Sequence, residues 1–129
     1  MIYSCYPAKE EKCDVESAGS LPWHTSIRAL LFTRKNPEVP EQLQMCNGTL
    51  PKDSNFNPNS RLYVFIPGFM FGVCELDIIN PVKDAWLEKG DYNVLLIDCT
   101  KALGNDFVDS MKHTEKVSRV IARVLKNIQ

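Results

Sequence analysis

The chain has 129 residues and a formal charge of −1, with acidic and basic residues interspersed; it is long enough to bury one core and offers no electrostatic footprint for a phosphate backbone or an anionic surface. Hydrophobic residues make up 44% and charged residues 24%, a globular balance in which no apolar run reaches the length of a membrane span. Nucleic-acid binding is therefore disfavoured, and no transmembrane segment is expected.

The stretch through Gly19 is polar and aperiodic, and Cys5 and Cys13 enclose a small polar loop of the kind a disulfide closes. Five cysteines in so short a chain point to an oxidising compartment and an extracellular, secreted protein. The start, Met1-Ile2-Tyr3-Ser4-Cys5, lacks the apolar core of a signal peptide, so a leader is either removed or upstream. After Leu21-Pro22-Trp23, the apolar run Ile27 to Thr33 reads as a strand, and Leu43 to Cys46 as a second short one. From Asn47 to Ser60, Gly48, Pro51, Pro58 and several asparagines give the composition of an exposed connection. Within it Asn47-Gly48-Thr49 spells an N-glycosylation acceptor.

Leu62-Tyr63-Val64-Phe65-Ile66 is continuously apolar and rich in β-formers, and it runs into Pro67-Gly68-Phe69, where proline and glycine end it. It reads as a buried central strand. Asn80 can cap a helix with Pro81 at its first position, and Val82, Ala85, Trp86 and Leu87 supply an apolar face before Gly90 stops it. Tyr92 to Asp98 is a second buried strand. Strand, crossover helix and strand make a parallel βαβ unit, so the fold class is α/β with a mostly parallel sheet and flanking helices. From Asn105 onwards, Phe107, Val108, Met111, Val117, Val120, Ile121, Val124, Leu125 and Ile128 recur at helical spacing, predicting a long amphipathic helix whose apolar face covers the sheet.

Four blocks in this order resemble the N-terminal half of the pancreatic-lipase family: the Cys5 to Cys13 arm, Leu21-Pro22-Trp23 with the strand ending Leu31-Phe32-Thr33, Ser54-Asn55-Phe56, and Arg61 to Phe69 leading to Val94 to Asp98. Ser54-Asn55-Phe56 is the most specific part. The resemblance implies residues 1–129 of an α/β-hydrolase domain, with a disulfide-pinned arm over 1–20 and a sheet-and-helix portion over 21–129. It implies a secreted carboxylic ester hydrolase of triglycerides or phospholipids, working at a lipid–water interface through a Ser-Asp-His triad. In the family the serine sits on a Gly-x-Ser-x-Gly elbow, and no serine here has glycines at both required positions. The expectation is therefore an N-terminal portion that does not hydrolyse esters by itself. The alternative is a non-catalytic, lipase-like lipid-binding or interaction protein. It is favoured by Pro67, which stands where the family places a histidine before Gly-Phe and which cannot donate a backbone hydrogen bond.

The resemblance carries one catalytic-type position, the backbone N–H of Phe69 as one side of an oxyanion hole. His24 and His113 have no visible nucleophile or orienting acid, and His113 falls on the polar side of the last helix. Cys46 and Cys74 are a candidate second bridge, leaving Cys99 unpaired or bonded elsewhere, although spacing does not fix connectivity. Asp98, at the carboxyl end of its strand, is expected to hold backbone amides of the following turn. Asp14, Glu16 and the other carboxylates show no metal-ligand spacing, and Gly68, Gly72 and Gly90 are too scattered for a phosphate loop, so no cofactor is expected. An uncovered sheet edge is expected to promote self-association.

Overall fold

A computed structural model describes residues 27–43, 49–66, 79–99 and 107–128. They form four strands and two helices: β1 (Arg28–Thr33), β2 (Asn36–Gln42), β3 (Leu62–Phe65), α1 (Ile79–Lys89), β4 (Asn93–Asp98) and α2 (Phe107–Ile128). The strands make one mixed sheet in the order β2-β1-β4-β3. β3 and β4 are parallel and joined through α1, the expected βαβ unit. The other two pairings, β1 with β2 and β1 with β4, are antiparallel. Among the described strands the sheet is thus mostly antiparallel, which corrects the expectation of a mostly parallel one.

For the β1–β2 pair the cause is the turn at Arg34-Lys35. Two residues between strands permit only an antiparallel hairpin, and Asn36 fastens it. Its side-chain oxygen accepts from the Thr33 N–H at 3.2 Å and from the Thr33 hydroxyl, while its amide nitrogen donates to the carbonyls of Leu31 and Val39. The second described strand is therefore Asn36–Gln42, and of the expected strand Leu43 to Cys46, residues 44–46 lie outside the described residues. Leu43 follows β2 as a buried core residue. Pro37 and Pro40 disguise β2 in the sequence; they are accommodated because β2 is an edge strand.

β1 and β4 are buried on both faces, and alternate residues serve different cores. Ala29, Leu31, Leu95 and Ile97 pack with Val117, Val120, Ile121, Val124 and Ile128 of α2. Leu30, Phe32, Val94 and Leu96 pack with Leu87 and Trp86 of α1. The helices thus cover opposite faces of the sheet, a three-layer α/β arrangement. Tyr63 stacks on Trp86 at 4.8 Å between ring centroids and meets Tyr92 edge-on at 5.0 Å, tying β3 to α1 and to the turn before β4.

Both helical faces differ in part from the pattern read in the sequence. In α1 the buried positions are Lys83 and Leu87, with Trp86 half-buried, while Ala85 is exposed. In α2 the apolar seam begins at Val117, whereas Val108 and Met111 are 56% and 63% exposed, because the sheet covers only the later turns of this long helix. Arg34 caps α1 from the hairpin, donating from Nε to the Leu87 carbonyl at 2.7 Å and from its guanidinium to the Glu88 carbonyl at 2.9 Å. A cation there satisfies carbonyls left open at a helix C-terminus and complements its negative dipole end. Gly90 ends the helix where a Cβ would lie 2.6 Å from the Tyr92 ring.

Candidate functional site

In an α/β sheet the carboxyl ends of parallel strands are where loops diverge and chemistry is usually placed. Here β3 and β4 end side by side, with Phe65 level with Leu96. The chain leaves β3 through Ile66 directly into Pro67-Gly68-Phe69 and leaves β4 through Cys99. Because β1 is antiparallel, its first residue reaches the same edge, and Arg28 lies opposite Asp98. The guanidinium donates to the Asp98 carboxylate at 2.9 Å, with side-chain exposures of 14% and 17%. Asp98 was expected to serve the following turn, which lies outside the described residues; the ion pair gives it a cross-strand role, pinning β1 to β4.

A largely desolvated pair is costly to break, because the surviving charge keeps its desolvation penalty. Asp98→Asn should lower stability by about 2 kcal/mol, and a double-mutant cycle with Arg28→Met should return a coupling of about 1 kcal/mol in urea unfolding. Additive effects would mean that the pair does not hold the strand ends.

Next to Asp98, Cys99 is 4% exposed and free. Burial first, and the Asp98 carboxylate second, push its thiol above the ordinary value, against a smaller opposing effect of a backbone hydrogen bond. A thiol held protonated is a poor nucleophile, so Cys99 belongs to the core beneath α2. His113 is half-buried on α2 and not on a fully solvated face. Among the described residues no group of three or more histidine, cysteine or acidic side chains could hold a metal ion.

The Ser54-Asn55-Phe56 block lies at the opposite edge, by the amino ends of β3 and β4. The Glu41 carboxylate on β2 accepts from the Ser54 hydroxyl and from the Asn55 N–H at 2.7 Å, and the Phe56 N–H donates to Ser54 Oγ at 3.1 Å. Fully buried Asn93 completes the latch: its oxygen accepts from the Asn57 N–H at 2.9 Å, and its amide donates to the carbonyls of Asn57 at 2.7 Å and Ser60 at 3.2 Å. The segment read as an exposed connection is therefore half-buried over Ser54 to Asn57 and bonded to both β2 and β4. A polar cleft of about 250 Å³ opens beside it, lined in part by Lys35, Asn55 and Asp91. The chemistry of this latch is positional, since it fixes where β3 begins and hence where its carboxyl end points.

Of the residues expected to act or to be modified, Phe69, Cys5, Cys13, Cys46, Cys74 and Asn47 lie outside the described residues, as does His24. Sequence reading did not single out Asn93, Glu41 or Lys83. Asn93 had one visible signal, a lone amide at the mouth of an otherwise apolar strand. No protein-family model matches the chain, and no curated protein matches it. No helix among the described residues is long and apolar enough to cross a membrane.

Proposed function

We propose that this chain is the N-terminal portion of an α/β-hydrolase scaffold of the pancreatic-lipase type, from a secreted carboxylic ester hydrolase of triglycerides or phospholipids. The observation that carries the reading is the β3–α1–β4 crossover, whose first strand enters from the Ser54-Asn55-Phe56 latch and is followed in the sequence by Ile66 and then Pro67-Gly68-Phe69. That order of latch, apolar strand and Gly-Phe turn is what an oxyanion-stabilising loop needs, namely a rigid strand behind a backbone N–H. Phe69 is the residue assigned to that N–H. The chain carries no Gly-x-Ser-x-Gly elbow, so an oxyanion donor here has no acyl-enzyme to stabilise.

The 129-residue chain, produced by secretion with its cysteines oxidised, should give no turnover of a short-chain nitrophenyl ester and no labelling by a serine-directed phosphonate. Phosphonate-sensitive turnover with stoichiometric labelling would overturn this reading, because it requires an activated serine within the chain. Pro67 favours a second reading, a lipase-like scaffold that binds lipid without cleaving it. Retention on a triglyceride emulsion without turnover would select that one.

A further inference from the structure

We draw no further inference here: the strongest candidate, the polar cleft of about 250 Å³ beside the Ser54 to Asn57 segment, lined in part by Lys35 of the β1–β2 turn, Asn55 and Asp91, carries nothing because nothing in the structure shows what fills or covers it.

Discussion

Asn93→Leu should lower the unfolding free energy by about 4 kcal/mol. The side chain is fully buried, and its single amide serves three partners on the 54–60 segment. Leucine is close in volume, so the loss comes from stranded polar groups and not from a cavity: the Asn57 N–H loses its acceptor, and the carbonyls of Asn57 and Ser60 lose a donor. Asn93→Asp separates the contributions. Its carboxylate keeps the acceptor for Asn57 but faces two carbonyl oxygens, so its proton should be held above the ordinary carboxylate range. A raised folded-state value contributes stability that is present below the unfolded value and lost as pH rises through the folded one. The aspartate variant should therefore approach the parent in acid and fall furthest behind near neutrality. Urea titrations of both variants at two pH values test this, and a loss below about 1 kcal/mol for leucine would mean that the latch contributes little.

Phe32→Ala should cost about 4 kcal/mol or more. Phe32 is fully buried in the core beneath α1, and the Lys83 ammonium lies 4.5 Å from its ring centroid. That lysine is itself 4% exposed, with Nζ donating to the Pro37 carbonyl at 2.6 Å and lying 3.0 Å from Asp84. A desolvated ammonium next to a ring face is favourable by about 2 kcal/mol, so the ring both fills the core and makes the buried charge tolerable. Phe32→Leu keeps most of the apolar volume but removes the face. Lys83→Met should consequently cost less in the leucine background than in the parent. Equal costs in the two backgrounds, measured by equilibrium unfolding, would reduce Phe32 to a space-filling role.

What the sequence made legible follows from which signals are local. The runs Ile27 to Thr33, Leu62 to Ile66 and Tyr92 to Asp98 are apolar enough to announce strands, and each is one, within a residue or two of the expected ends; but Leu62 to Ile66, expected as a buried central strand, is half-buried at the edge of the described sheet. The crossover helix was readable from Pro81 near its start and Gly90 at its end, although it begins at Ile79, so Asn80 and Pro81 lie inside its first turn and not at the cap and first position; α2 was readable because its apolar residues recur over six turns. β2 was hidden because its prolines argue against a strand, and only its place at the edge, a tertiary fact, removes that objection. With β2 went one antiparallel pair, and the antiparallel pairing of β1 with β4, between residues far apart in the chain, had no local signal. Lys83 was passed over because charge suggests solvent, although positions 83, 86, 87 and 90 have the spacing of one helical face. At the candidate site, the strand before Pro67 could be read directly, but the Arg28–Asp98 pair could not, since it joins residues far apart through a register that no local pattern encodes.

That register also governs the order in which the molecule can assemble. Arg28 and Asp98 are 70 residues apart, and every pairing of β1 with β4 spans a comparable stretch. The β1–β2 hairpin can close early through its two-residue turn, yet both faces of β1 are apolar and one side of β1 stays open until β4 is synthesised and the crossover has formed. During that interval on the ribosome, the nascent hairpin is a sticky ribbon, guarded along one margin by Pro37, Glu38, Pro40 and Glu41. The prolines that obscure β2 in the sequence thus protect an early folding species, leaving β4 as the strand whose arrival completes the sheet.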